Sequence, residues 1–545
     1  MTRTASKRRR TTVPPAARRA AAAVGALLCA MGVAALAVTD GTVGPGPGAP
    51  ADDVRAVPVA AAGTGLVCPA PAELEQPDVG DDEFSATPVE TSTSLAAAVL
   101  AGAEDTEPAL TTLGGAGAGD VAGPLDVGGT AAVRTGEVPD ARLLRVTPGA
   151  ATYAAGTVAS VTTDGDLRGM VAGPCALPAV EHWLVGGGTA VGSSGRLVLL
   201  NPGRTPATVA LEAWGASGPV ALGGQSLVVV PAGEQVVTTL EAVAPDQSRL
   251  ALHVTAEGGR VGAYVQHHRI DGLVPAGADL VAGGAAPATT TAVPGIVSTG
   301  EAVDDPHAPR LDLLAPGDRP GTARVAVLGT DGPVRLRGGE EVTLEAGRVT
   351  TLPLGGLPEG AYTVVVDADV PVVAGAAVDR RGAAAQDAVI DEDPYDRAWL
   401  PGQAVPGAAA SGAADGAVAV PPGASYELTF AGVPDERDPD LVDDATGSTQ
   451  VELRGVGPDG EEVWTQEVDV PAGHTVRLDV ADLAELGETV AVVAVVAEQP
   501  SGGPGVVWSV TLADGDDPSL FSVLAPTPPL AAGDEVRVRR VDAAG

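Results

Sequence analysis

Aromatic residues are scarce in this 545-residue chain, 2% of the total with Trp 5, Tyr 5 and Phe 3, although hydrophobic residues make up 45%. A core must therefore be packed from Val, Leu and Ala, and such small side chains need many strands to share the burial. The same scarcity weighs against a sugar cleft, which stacks its ligand on exposed rings. Lysine occurs once, at Lys7, and asparagine once, at Asn201, the bias of GC-rich coding. Bases are also few beyond the N-terminus. Seven of the 32 precede the first acid, Asp40, which leaves 25 bases against 70 acids in the remainder, a net charge of -45. Such a surface repels nucleic acid and reads as a solubilising shell. There are three cysteines, too few and too far apart for a CxxC redox site or a zinc cluster. No Gly-x-Ser-x-Gly elbow, His-Glu-x-x-His helix or phosphate-binding loop occurs, so no catalytic residue and no cofactor is expected. Paired carboxylates for glycoside hydrolysis are spaced in three dimensions, which leaves a glycoside-processing enzyme as the alternative.

What is present begins with a basic segment, residues 1–19, followed by an uncharged apolar run, residues 20–38. As a helix that run spans about 28 Å, close to the thickness of a bilayer's hydrocarbon core. Positive charge before it places the N-terminus in the cytoplasm and everything beyond it outside. The run serves either as a retained signal anchor or as a signal peptide cleaved after Ala37, since Ala35-Leu36-Ala37 has the small-x-small pattern. Cys29 lies within it as a small apolar residue. Cys68 and Cys175 are the thiols of the exported part, and an oxidising compartment favours a disulfide between them. Residues 39–65, rich in Gly, Pro and Ala, read as a linker.

Beyond the linker the chain repeats a theme. Val228-Val229-Val230-Pro231-Ala232-Gly233, Val342-Thr343-Leu344-Glu345-Ala346-Gly347, Val418-Ala419-Val420-Pro421-Pro422-Gly423 and Val468-Asp469-Val470-Pro471-Ala472-Gly473 each lead into another valine-rich run. Proline presets φ and glycine supplies a positive φ, so each reads as strand, tight turn, strand. Residues 196–203 match 310–317, and Gly233 matches Gly347, at one offset of 114 residues, which implies a duplicated domain. A closing strand recurs at 260–265, 371–376 and 505–510, with 168–172 as a fainter relative, and each is followed by a marker: Trp183, Leu280, Trp399 and Phe521. Short strands in units of about 100 residues fit tandem immunoglobulin-like β-sandwiches, an all-β chain behind the anchor helix. The expected divisions are 66–185 with the Cys68–Cys175 disulfide, 186–295, 296–402, and 403–545 with a C-terminal tail. A single β-propeller fits less well, since its blades are shorter than these steps. Helix is expected only over 482–486 and, from its alanine content, 94–102.

The stretch on which this organisation turns is His182-Trp183-Leu184-Val185-Gly186-Gly187-Gly188, continuing through Gly192 into Arg196 and Asn201. It reads as a junction between modules, with Trp183, Gly186, Gly188, Arg196 and Asn201 as its markers. Its glycines imitate a dinucleotide-binding turn, but another β-run follows where a helix N-terminus would be required. The histidines offer no metal site: with 257–260 as a hairpin turn, His253 faces Tyr264 and His268 is about 13 Å further along. Acidic runs occur at 391–396, at 514–517 and at Asp435, Asp438, Asp440, Asp443 and Asp444. The last is the best calcium candidate, although none has the spaced loop of a calcium-binding hand and solvated loops are the simpler reading.

The Cys-Pro segment, the Trp-Leu-Val-Gly-Gly-Gly junction, the Leu-Val-Leu-x-Asn-Pro-Gly strand and the basic signal anchor together resemble an uncharacterised actinobacterial exported or membrane-anchored family. It is catalogued only as a domain of unknown function and is typically encoded near a large membrane glycosyltransferase. The resemblance implies a single-pass protein with its body outside the cell and no catalytic residues. The expectation is then a non-catalytic rod of sandwiches in the envelope, a spacer or interaction surface that assists cell-wall or polysaccharide assembly. Its partners would be the membrane and an envelope protein or glycosyltransferase. The alternative is a carbohydrate-binding or carbohydrate-processing β-protein, with Trp183 or Trp399 as the ring in its cleft.

Overall fold

The computed structural model describes residues 54–58, 64–74, 91–100, 108–114, 123–149, 152–336, 338–384, 392–406, 414–435, 446–498, 503–530 and 535–539. The apolar run 20–38 and its cleavage site lie outside them. Among the described residues no helix is long and apolar enough to cross a membrane.

Valine-rich segments that alternate or run continuously apolar become strands, and the strands pair antiparallel into four face-to-face sandwiches, the second and third sharing a continuous sheet through one parallel bridge between Ala276 and Tyr395. In the first, Gly169–Pro174, Tyr153–Thr162, Ser92–Leu100 and Ala131–Gly136 cover Thr64–Cys68, Arg142–Val146 and Ala109–Thr112 around Leu66, Leu95 and Leu144. In the second, Glu181–Val185, Leu250–Glu257 and Ala207–Gly215 cover Gln235–Thr239, Ser193–Leu200, Gly262–Asp271 and Val274–Val281. The third is built on one long strand, Gly360–Arg381. Its first half pairs with Ala288–Ser298 and Gly321–Gly329, its second with Arg310–Leu314 and Tyr395–Pro401. The fourth sets Gly416–Ala419, Ala491–Glu498, Ser448–Val456 and Glu462–Pro471 against Thr475–Leu478, Ala424–Val433, Gly505–Asp514 and Phe521–Leu524 around Trp508 and Phe430.

The 114-residue repeat is a structural one. Leu197 faces Thr238 in the second sandwich, and Leu311 faces Leu352 in the third. The Gly233 N–H donates to the Asn201 carbonyl at 2.9 Å as the Gly347 N–H does to that of Ala315 at 2.8 Å. The glycines of the four Pro-x-Gly or Ala-Gly corners all adopt positive φ: 73° at Gly233, 66° at Gly347, 83° at Gly423 and 76° at Gly473. A Cβ at Gly423 would meet nothing within 4 Å, whereas one at Gly233 would lie 2.6 Å from Gly114 Cα. Gly423→Ala is therefore expected to cost about 1 kcal/mol from backbone conformation alone. Gly233→Ala should cost measurably more, and urea unfolding of the two variants compares them.

Three expectations need correction. The sandwiches do not string out as a rod: the first packs on the second through Val67, Leu143, Leu200 and Tyr264, the second on the third through Trp183, Trp214 and Val373, and the third on the fourth through Leu328, Val365 and Val507. The fourth then returns to the first through Ala96, Ala98, Val456 and Ala491, so the ring closes and residues 60–534 form one compact unit. Sheets with apolar residues on both faces must bury both. Of the expected helix 94–102, the described residues 94–100 are not helical; Ser92–Leu100 is a central strand, with Ala96 and Ala98 in the joint to the fourth sandwich and Ala97 in the core of its own. Its alanines supply small side chains where two bodies approach, and packing overrides helix propensity. Finally, 257–260 is not a hairpin turn, because Leu250–Glu257 and Gly262–Asp271 belong to opposite sheets and His253 faces Trp183 and Glu212. The expected turn of helix forms at Val480–Ala484, with the Asp479 carboxylate accepting from the Ala481 and Asp482 N–H groups.

A second unit, residues 1–59 with 535–545, contains a two-stranded ribbon: Val54–Pro58, within the expected linker, pairs antiparallel with Glu535–Arg539.

Candidate functional site

Each sandwich brings one strand to the centre of the ring: Gly169–Pro174 and Phe521–Leu524 are sheet edges, while Val274–Val281 and Tyr395–Pro401 meet side by side at a single parallel bridge, Ala276 with Tyr395. An edge carries unpaired N–H groups, which at the centre of a closed ring cannot reach water. Two aspartates meet this need. Asp396, fully buried, accepts from Met170 N at 3.0 Å and Phe521 N at 2.7 Å on Oδ2, and from Arg397 N at 2.8 Å and Ala278 N at 3.4 Å on Oδ1. One carboxylate thus bonds a backbone N–H from every sandwich. Asp279, 1% exposed, accepts from Ala172 N at 3.3 Å, Trp399 N at 2.9 Å and the Ser522 hydroxyl at 2.8 Å.

Burial dominates the electrostatics of this hub. It pushes Asp396 from 3.8 to about 7, against the pull of the Phe521, Met170 and Arg397 N–H groups and the Arg168 charge. It also drives Asp279 well above the carboxylate range, and the neighbouring Asp396 adds to that rise. Beside them, burial would raise Asp379, but Arg397 at 2.6 and 2.7 Å and His307 at 2.9 Å hold it down at about 2. Because the pKa of Asp396 is raised by folding, its contribution to stability is complete below pH 3.8 and is lost as the pH rises through about 7. The loss is on the order of 4 kcal/mol. Calorimetry is expected to show Tm falling between about pH 4 and 7 and levelling off above that, with a flatter profile in Asp396→Asn; an identical profile in that variant would count against the assignment.

The junction residues divide between two joints. Trp183, 6% exposed, stacks on Trp214 at 5.7 Å and on His253 at 4.0 Å, and its Nε1 donates to Glu181 at 3.0 Å. It lies on the first strand of the second sandwich, so the chain has already crossed from the first before it reaches Trp183. Gly186 allows the backbone to press on Trp399, where a Cβ would lie 2.6 Å from Cε3; one on Gly188 would lie 2.9 Å from the Gln247 carbonyl oxygen. Arg196 ties the second sandwich to the first by donating to the Glu73 carbonyl. Asn201, fully buried, donates to the Thr205 and Val230 carbonyls at 2.9 and 3.0 Å and accepts from Gly203 N at 2.9 Å, holding the corner that opens the repeat. A strand, Ser193–Leu200, follows the glycines. Cys68 and Cys175 form a disulfide that joins the two sheets of the first sandwich.

Of the calcium candidates, Asp435 is exposed, while Asp438, Asp440, Asp443 and Asp444 lie outside the described residues. Among the described residues no three His, Cys, Asp or Glu side chains converge on a metal position. A cleft of about 550 Å³ at the end of the fourth sandwich, lined in part by Thr135, Pro422, Tyr426, Leu483, Glu488 and Thr489, offers a single carboxylate. The hub does not stand out in the sequence: Asp396 lies among the acids of 391–396, which read as solvated, and the available signal for Asp279 is an acid inside the apolar run 276–281. The markers Leu280, Trp399 and Phe521 do lie on hub strands, and so does 168–172, which is therefore the counterpart of those strands rather than of the closing ones.

No curated protein matches the chain. The crystal structure of Thermotoga maritima 1070 is similar at 20% identity over 22% of this chain and 95% of its own, with a TM-score of 0.17. That of Streptomyces avermitilis alpha-L-rhamnosidase complexed with L-rhamnose is similar at 12% identity over 79% of this chain and 55% of its own, with a TM-score of 0.11. At these scores neither informs the fold or the site. A family pattern matches residues 131–481, from the first sandwich into the fourth, and the chain belongs to DUF5719, a family of unknown function.

Proposed function

We propose that this protein is a non-catalytic, membrane-anchored structural or interaction protein of the cell envelope, a rigid four-sandwich body held outside the cytoplasm. The observation that carries the reading is the hub: its two buried carboxylates are engaged by strand N–H groups and a serine hydroxyl from all four sandwiches, which is chemistry of assembly. The disulfide supports an oxidising compartment, and the apolar run 20–38 supports an anchor. The family resemblance supports a partner among the membrane glycosyltransferases that build wall or surface polysaccharide. The carbohydrate-binding alternative loses its two candidate platforms, since Trp183 and Trp399 are 6% and 2% exposed within the joints.

Crosslinking of intact cells followed by recovery of the full chain tests the proposal. Enrichment of one membrane glycosyltransferase is the expected result, and retention on cell-wall sugars without a protein partner would overturn it. N-terminal sequencing of the mature protein separates anchor from secretion, because an end at Val38 would mean cleavage after Ala37.

A further inference from the structure

We infer that the free edge of the second sandwich, Leu227–Val230, docks an extended segment of a partner protein, with aliphatic and basic residues alternating, as an added strand. This rests on the reading of the chain as an interaction protein and names how the partner is held. Leu227–Val230 pairs with residues 207–210 on one side and with no described strand on the other. Val228 and Val230 turn into the core, whereas Leu227 and Val229 turn outward and are 63% and 61% exposed. A bare edge with aliphatic side chains is open to further pairing, which proteins ordinarily suppress with charge.

The duplicated sandwich shows the suppressed form. At the offset of 114 residues the counterpart strand is Glu341–Leu344, which pairs with residues 321–324 in the same register. Glu341 there takes the place of Leu227, Thr343 that of Val229 and Arg324 that of Ala210, and the row across the sheet reads Glu341, Arg324, Asp367. In the second sandwich the same row reads Leu227, Ala210, Thr255, without a charge. One backbone thus carries a charged edge in one repeat and an aliphatic edge in the other. The fold does not demand the aliphatic pair, which serves contact with another chain.

The neighbours select the occupant. Glu257, opposite Thr208, and Glu212, two residues beyond Ala210, stand exposed on the same face. With 70 acids against 25 bases beyond residue 39, the body attracts a basic segment and repels a second copy of itself. An edge of 4 residues, about 13 Å long, also buries far less than the roughly 1,200 Å² of a stable dimer. It suits a single extended segment, whose main chain supplies the affinity and whose alternate side chains supply the specificity.

Hydrogen exchange of the full chain with a synthetic peptide of alternating valine and arginine tests this. Exchange over Leu227–Val230 is expected to slow about tenfold at saturation, with Glu341–Leu344 unchanged; protection only elsewhere, or none, overturns the inference. Leu227→Glu with Val229→Thr installs what the third sandwich carries at those positions and is expected to abolish the protection. A double variant that binds the peptide as the native chain does rejects the edge, as does equal binding of a peptide with glutamate in place of arginine. Sedimentation showing a native dimer and a monomeric double variant would assign the edge to a second copy instead. If the double variant does not fold, protection mapped on the native chain still decides. Peptide binding is read on purified protein, so its failure removes this docking mode and leaves the crosslinking test of the envelope partner standing.

Discussion

Replacing Asp396 with alanine is expected to lower the unfolding free energy by about 4 kcal/mol and to break one cooperative transition into several. Alanine leaves the N–H groups of Met170, Ala278, Arg397 and Phe521 without the acceptor they share. Each buried orphan costs roughly 1–3 kcal/mol, and part of the sum returns because a buried carboxylate is no longer there to desolvate. What remains is spread over all four sandwiches, so the loss should appear as weaker coupling between bodies that each retain a core. Scanning calorimetry and hydrogen exchange at the four hub strands read the two effects separately. Asp318→Ala, at an exposed acid, is the control and should stay within about 0.5 kcal/mol of the native protein. A hub variant as stable as that control would show that the ring does not depend on the carboxylate.

The strands were legible because their signals are local. A valine run stopped by Pro-x-Gly needs a left-handed glycine wherever it occurs, and Gly233, Gly347, Gly423 and Gly473 have it. The repeat at 114 residues was legible for a related reason: the same corner hydrogen bond recurs at Gly233 and Gly347 and calls for the same residues at the same spacing. Ring closure was not legible. Ser92–Leu100 looks helical by composition, and only the approach of the fourth sandwich explains why its outward residues are alanine. The His253 hairpin failed likewise, because a short Gly-Gly link can turn a strand back beside its neighbour or carry it across to the opposite sheet.

The hub was the least legible feature, since apart from Arg397 its partners lie 107 to 243 residues from the aspartates they bond. Asp396 sits among acids that composition assigns to a solvated loop, and its burial follows from strands contributed by three other sandwiches. Trp183 and Trp399 had the opposite fate. Rings rare enough to suggest a ligand platform instead fill the joints, where small Val and Ala side chains would have left voids.

Replacing Cys68 and Cys175 together with alanine is expected to cost about 4 kcal/mol, falling mainly on the first sandwich. The disulfide closes a loop of 107 residues, and the chain-entropy relation gives roughly 4 to 5 kcal/mol for a loop near that length. That sandwich has little to compensate with: its core is Leu, Val and Ala around the two sulfurs, and all five tryptophans of the chain lie outside residues 66–175. Tryptophan fluorescence should therefore report the second, third and fourth sandwiches while remaining nearly blind to the opening of the first. Hydrogen exchange over Tyr153–Thr162 and Arg142–Val146 should accelerate well before the fluorescence transition, both in the double variant and in native protein treated with reductant. Coincident transitions would mean that the joints at Tyr264 and Ala491 couple the first sandwich to the ring more strongly than the disulfide stabilises it. In that case the hub, rather than the covalent link, sets the stability of the body.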